Sequence, residues 1–308
     1  MTRSASGRRR LDLELVRRGM AESAEHAKEQ IRRRSVLVAG CVADNASRLV
    51  SPCEPIVMAP EPPRFVSRGG TKLDAALDRF GLAPTDLRVL DVGASTGGFT
   101  DCLLQRGAAS VVALDAGHGQ LHHSLRTDPR VVVVERTDVR RTDPAALGAP
   151  FPMVVADLSF TSLLEAAEAL LGLARRSADL VLLVKPQYEV QRRDALRTGG
   201  VVEGAVPWAE CLHRVLGGYS ERGASVRGLM ASPLRGAHGK PSRGAPGKPS
   251  RGAPGKPSVS SRGNVEFLAW LQVPPGRRPS LDLDRAVSEV VAEVERGARP
   301  VDSLPEVS

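Results

Sequence analysis

The stretch Arg88-Val-Leu-Asp-Val-Gly-Ala-Ser-Thr-Gly-Gly-Phe99 constrains the fold of this chain more than any other: an apolar strand runs into a turn of small residues and then into a helix. Glycine at such a turn lets backbone N–H groups approach a ligand at a distance no side chain tolerates. The spacing Asp91-x-Gly93-x-x-x-Gly97-Gly98 departs from the G-x-G-x-x-G of dinucleotide sites by opening on an acid at the strand end. The next apolar run, Ser110-Val-Val-Ala-Leu-Asp115, ends on a second acid at the strand tip, where a ribose diol is held. Together they suit S-adenosylmethionine, a zwitterionic amino acid joined to adenosine. The expected donor site is therefore Asp91, Gly93, Ala94, Ser95, Thr96, Gly97, Gly98, Phe99 and Asp115. An ordinary Gly-rich turn is the competing reading, and Phe99 at a helix start is equally at home in a core.

Apolar runs at Arg88 to Asp91, Ser110 to Asp115, Val131 to Glu135, Met153 to Asp157 and Leu180 to Lys185 alternate with helical patterns. Five buried strands with intervening helices imply a parallel, doubly wound sheet covered on both faces. Two later runs, Ser225 to Ala231 and Glu266 to Val273, add an antiparallel pair at the edge. The fold class expected is α/β, a Rossmann-like class I methyltransferase layout with a seven-stranded, mostly parallel sheet over residues 66–273.

Residues 8–58 read as a separate small α+β unit. Leu11, Leu15, Val16 and Met20 fall at helical spacing with Gly19 as a stop, Ser23 caps a second helix carrying Ala27 and Ile31, and Val36 to Gly40 gives a strand and turn. A Pro-rich linker, 59–65, follows. A C-terminal segment, 274–308, carries one amphipathic helix from Leu281 to Val294. Between the last two strands, 235–262, the octapeptide Arg-Gly-Ala-(His/Pro)-Gly-Lys-Pro-Ser occurs three times, starting at Arg235, Arg243 and Arg251. Without a large apolar residue it cannot offset its ordering entropy by burial, so a disordered basic loop is expected.

The net charge of +8 and the arginine clusters Arg8-Arg9-Arg10, Arg17-Arg18 and Arg32-Arg33-Arg34 favour a nucleic acid partner. With Lys28 and Arg68 these are the expected RNA contacts; a solvated arginine face is the plainer alternative. Cys41, Cys53, Cys102 and Cys211 form no C-x-x-C pair, and His118, His122 and His123 lack an acidic partner at ligand spacing, so no metal site is expected. No run approaches the roughly 20 apolar residues of a membrane span, and a cytoplasmic protein with no membrane partner is expected.

Amine-directed methyl transfer uses Asn/Asp-Pro-Pro-Tyr/Phe after the fourth strand, whereas this chain has Ala156-Asp157-Leu158-Ser159-Phe160. The Pro52-Cys53 pair, the only candidate for a cytosine-C5 nucleophile, precedes the sheet. What remains is Lys72, Asp157, Lys185 and Glu266. The carboxyl ends of strands one, four and five face one crevice, so Asp157 and Lys185 should converge there. A hydroxyl attacking a sulfonium methyl must lose its proton, and a lysine amine accepts it only when unprotonated. Tyr188 is a further candidate for stacking on a base.

Val66-Ser-Arg-Gly-Gly-Thr-Lys-Leu73, Asp91 to Thr100, Asp115 with Gly119-Gln-Leu121, Leu125-Arg126 with Asp128-Pro-Arg-Val131, Glu135-Arg-Thr137, Asp157-Leu-Ser-Phe160, Lys185-Pro-Gln-Tyr-Glu189, Gly199-Gly-Val-Val202 and Gly263-Asn-Val-Glu266 occur in this order. In these motifs the chain closely resembles the TlyA family of ribosomal RNA 2′-O-methyltransferases, also named haemolysins. Leu11-Asp12, Leu15-Val16, Gly19, Ser23, Ala27 and Ile31 are similar to the S4 RNA-binding domain, with Ala24 and Ala39 departing from its usual basic residue and Asn. The resemblance implies a Lys-Asp-Lys-Glu tetrad on Lys72, Asp157, Lys185 and Glu266, S-adenosylmethionine as cofactor with Asp157 and Asp138 also near it, and a cytidine 2′-hydroxyl in rRNA of ribosomal subunits as target. Asp138 stands where relatives commonly have Asn. The alternatives are a membrane-active haemolysin and a non-catalytic RNA-binding assembly factor.

Overall fold

A computed structural model describes residues 7–59, 63–189, 201–236, 263–273 and 281–298. The described residues pack into three apolar clusters, one belonging to the N-terminal unit and two to the faces of a large sheet.

In the N-terminal unit, β1 (Arg9–Arg10) leads into α1 (Leu11–Arg17) and α2 (Ala24–Arg32), followed by β2 (Val36–Val38), β3 (Cys41–Val42), β4 (Leu49–Val50) and β5 (Ile56–Met58). Leu11, Leu15, Ala27 and Ile31 meet Val36, Val38, Val50 and Ile56, which is the helical spacing seen in the sequence turned inward. The Ser23 hydroxyl accepts from the His26 N–H, capping α2 as expected. The unit is richer in strands than expected. β2 pairs with both β3 and β5, and β1 pairs with β4, all antiparallel. Strands of two or three residues carry too little alternation to stand out in a sequence.

The larger unit opens with α3 (Arg68–Phe80). It continues through β6 (Arg88–Val92), α4 (Gly98–Gln105), β7 (Ser110–Leu114), α5 (His123–Arg126), β8 (Val131–Val134) and β9 (Phe151–Ala156). Then come α6 (Ala167–Leu173), β10 (Ala174–Val184), α7 (Pro186–Glu189), α8 (Ala205–Glu221), β11 (Ser225–Ala231), β12 (Phe267–Val273) and α9 (Leu283–Ala298). The sheet order is β11-β12-β10-β9-β6-β7-β8. The five strands from β10 to β8 are parallel, and β12 runs antiparallel to both its neighbours. The expected antiparallel edge pair is thus one reversed strand slotted between two of common direction. Successive strand residues point to opposite faces. Leu90, Val154 and Leu182 join the cluster formed with α6, α8 and α9, while Val89, Val155 and Val181 join the one formed with α3 and α4.

Some boundaries move. Phe65, placed in the linker by the sequence, is buried against α3, where a Cβ on Gly70 would lie 2.4 Å from its ring. The C-terminal helix begins two residues later and ends four residues later than expected. Residues 60–62 of the linker, Gly199 and Gly200, and the octapeptide tract from residue 237 to 262 lie outside the described residues. The two units touch directly: the Val42 N–H donates to the Val66 carbonyl at 2.9 Å, and His122 Nε2 lies 3.2 Å from Asp44 Oδ2.

Candidate active site

The turn after β6 is built around close approaches. Gly93 has φ +83°, and a Cβ there would sit 2.5 Å from the Asp157 carbonyl oxygen, so the turn can run beside the end of β9 only with glycine. Gly97, at φ +95°, precedes α4 in the same way. The Asp115 carboxylate at the tip of β7 accepts from the Ser95 N–H at 2.8 Å and the Gly117 N–H at 2.6 Å, which fixes its orientation. Beneath the turn, Asp91 is wholly buried. Its Oδ2 accepts from the Thr100 hydroxyl at 2.6 Å, and its Oδ1 has no partner. Burial pushes this carboxyl up to about 7 despite the Thr100 bond, with the nearby Asp157 charge adding to the rise.

A crevice of about 540 Å³ runs along the carboxyl ends of β6, β7 and β9, lined by Gly93, Ser95, Asp115, Asp138, Asp157 and Phe160. A smaller recess of about 110 Å³ joins Gly93 to Phe99 with Lys72 and Asp157. The donor-site residues expected from the sequence therefore gather around one place. Phe99 is buried in the core yet lines that recess. Asp138 faces the crevice, but its carboxylate is bonded by Arg140, which holds it down to about 2.

The four expected catalytic side chains form two ion pairs. Lys185, immediately after β10, pairs with Asp157 Oδ1, immediately after β9, and its Nζ donates to the Ser159 hydroxyl at 3.0 Å. Lys72, from the second turn of α3, donates to Glu266 Oε2 across 194 residues of chain. The sheet register explains this reunion. Because β12 is reversed and pairs Phe267 with Val184, the residue before it comes level with Lys185 at the carboxyl end of the sheet. Lys72, Lys185 and Glu266 are all buried. The backbone around Glu266 is tied down: Gly236 N–H donates to the Asn264 carbonyl at 2.8 Å, and Asn264 Oδ1 accepts from the Val202 N–H.

Two neighbours of Lys185 escaped the sequence reading. Ser159 was quoted only as part of a motif. Phe160 is 88% exposed with φ +65°, and its ring lies 5.2 Å from that of Tyr188, which in turn lies 5.7 Å from Lys185 Nζ. An aromatic three residues after the strand-four acid was the available signal.

The expected RNA-contacting cations divide by what they already do. Arg8 and Arg68 line a cleft of about 880 Å³ between the two units, together with Lys72, Ser95 and Thr96, and Arg68 also donates to the Arg235 carbonyl. Arg9 is exposed, and Lys28, Arg32 and Arg33 form exposed pairs with Glu25 and Glu29 on α2. Arg10 is bonded to Asp12. Arg17 and Arg18 turn onto the buried Glu14, and Arg18 also donates to the Pro52 and Glu54 carbonyls, so it braces the unit internally. Arg34 has buried Nε and Nη2 atoms without a hydrogen-bond partner. Among the described residues no three His, Cys, Asp or Glu side chains gather as a metal site requires.

A family model described as an S4 domain matches residues 9–56, and one described as an FtsJ-like methyltransferase matches residues 65–240. The chain is 43% identical to the 16S/23S rRNA (cytidine-2′-O)-methyltransferase TlyA of Mycobacterium tuberculosis over 93% of this chain and 98% of that one. It is 36% identical to Hemolysin A of Brachyspira hyodysenteriae over 63% of this chain and 80% of that one. A solved structure from Streptococcus thermophilus that bears the name hemolysin superposes with a TM-score of 0.68 at 32% identity, covering 95% of this chain and 97% of that one.

Proposed function

Because the chain belongs to the TlyA family, an S4 domain followed by an FtsJ-like methyltransferase domain, we infer that it is an rRNA methyltransferase that uses S-adenosylmethionine to methylate a cytidine 2′-hydroxyl. One observation supports this chemistry above the rest: two lysine–carboxylate pairs, the partly buried Lys185–Asp157 and the buried Lys72–Glu266, at the carboxyl end of the sheet beside the Gly93 turn. The residues present fit the donor. Asp115 is oriented to receive a ribose diol, the Gly93 turn lines the crevice at the end of the sheet, and the unpartnered Asp91 Oδ1 beneath it is a polar atom without a protein bond. When bound there, S-adenosylmethionine supplies an electrophilic methyl group.

In this reading, the proton of the attacking 2′-hydroxyl passes to Lys185 Nζ, which must be unprotonated at that moment. Asp157 and the Ser159 oxygen then stabilise the ammonium that forms. Lys72 contributes a fixed cation held by Glu266. The N-terminal unit docks on folded rRNA through Arg8, Arg9 and the cations of α2, with Arg68 of α3 beside them, and the target nucleotide leaves its stack to reach the crevice. The substrates in this reading are ribosomal subunits, met in the cytoplasm. Neither the membrane-active nor the non-catalytic alternative is favoured by an observation of comparable weight; among the described residues no helix is long and apolar enough to cross a membrane.

Purified protein incubated with methyl-labelled S-adenosylmethionine and separated ribosomal subunits should place label on rRNA, at a ribose that resists alkaline cleavage. Label on a base, or no transfer to either subunit, would defeat this reading.

A further inference from the structure

The loop between Asp157 and Leu163 carries Asp157, Ser159 and the exposed Phe160, and α7 with the residue before it carries Lys185 and Tyr188. These two segments come from different crossovers of the sheet; the pairing of β9 with β10 sets where they start, and contacts further along fix how their outer parts lie against each other. Glu189, the last residue of α7, makes such a contact. It is buried; its Oε2 accepts from the Ser162 hydroxyl at 2.6 Å and its Oε1 accepts from the Leu163 N–H at 2.6 Å. The Leu163 carbonyl is taken by the buried Tyr219 hydroxyl of α8 at 2.9 Å, so both backbone groups of this residue are fixed by side chains. The loop is thus stapled at its base while its tip holds Phe160 in a left-handed conformation that costs free energy for a bulky side chain.

Resting on the methyltransferase reading, we propose that Glu189 is a positioning residue for the reaction: it clamps the loop after β9 against α7 so that Asp157, Ser159 and Phe160 face Lys185 and Tyr188. It touches none of the reacting atoms. Its two bonds span the two halves of the site, and a shift of 1 Å in such an arrangement is enough to cost about 100-fold in rate. Glutamine can reproduce both contacts, its carbonyl accepting from Leu163 N–H and its amide donating to the Ser162 oxygen. Alanine reproduces neither.

The full-length Glu189→Ala protein is compared with wild type and Glu189→Gln by hydrogen exchange of the 158–164 segment, by donor binding, and by methyl transfer to ribosomal subunits. The expected result for Glu189→Ala is exchange of that segment accelerated about tenfold or more with the central strands unchanged, donor Kd raised far less than kcat falls, and kcat about 100-fold lower, with glutamine restoring most of the rate. Ser162→Ala removes one of the two contacts and should give a smaller loss of the same kind. Unchanged exchange in Glu189→Ala overturns the proposal whether or not the assay shows transfer. So does accelerated exchange with kcat at the wild-type value, or a loss of donor binding equal to the loss of rate. Wild-type protein that transfers no methyl group defeats the functional reading instead, and the exchange data still decide the clamp.

Discussion

Each unit of this molecule buries an acid, and the two are treated in opposite ways. In the N-terminal unit, Glu14 is enclosed by Arg17 on both oxygens and by Arg18 on one, and the Arg17 bonds above all hold its carboxyl down to about 2. In the sheet unit, Asp91 has a single hydroxyl for company and is pushed up to about 7 by burial. A buried charge that is fully paired is a structural brace; a buried carboxyl left with an unused oxygen is a polar group held ready for something else. Arg17 and Arg18 thereby hold the S4 domain together from within. The contrast also marks the turn after β6 as the place where the fold gives up stability.

The comparison can be broken or sharpened at four points, beginning with the largest effect. Lys185→Ala should lower methyl transfer by about 10³-fold, in the range of a lost general base, while calorimetry shows donor binding largely intact. Retained turnover removes Lys185 from the base role. Lys72→Met leaves the Glu266 carboxylate buried without its partner and should cost about 3 kcal/mol in urea unfolding, with Lys72→Met/Glu266→Gln recovering part of it. Equal stability of the single and double variants would show that the pair is not coupled.

Glu14→Gln should destabilise the N-terminal unit by about 2 kcal/mol at neutral pH, as expected for lost charge-assisted hydrogen bonds. Its folded value of about 2 lies below the ordinary 4.5, so the stability it lends is complete above 4.5 and is lost as pH falls towards 2. Asp91 carries the opposite sign. Its folded value of about 7 lies above the ordinary 3.8, so between those limits the folded chain keeps a proton that the unfolded chain has released, and stability declines as pH rises through that window. Asp91→Asn should flatten this slope in a series of thermal melts. A slope that persists would assign it to other groups.

The seven-stranded, mostly parallel sheet and the convergence of Asp157 with Lys185 were legible because a doubly wound sheet fixes where strand ends meet. The Lys72–Glu266 pair was less accessible to spacing alone, since it depends on the reversal of β12 that brings Glu266 level with Lys185. Ser159, Phe160 and Glu189 acquire their roles from contacts between crossovers, and no periodicity announces such contacts. Arg17 and Arg18 read as surface charge because their common acid, Glu14, is an unremarkable helix residue until α1 is packed.

The bond from Gly236, the second residue of the first octapeptide, to the Asn264 carbonyl holds the chain at 236 beside the chain at 264. Units can be gained or lost there without tugging on the acid two residues further along, which is the kind of freedom that lets a lineage duplicate a short sequence in the middle of an enzyme without disturbing the chemistry beside it.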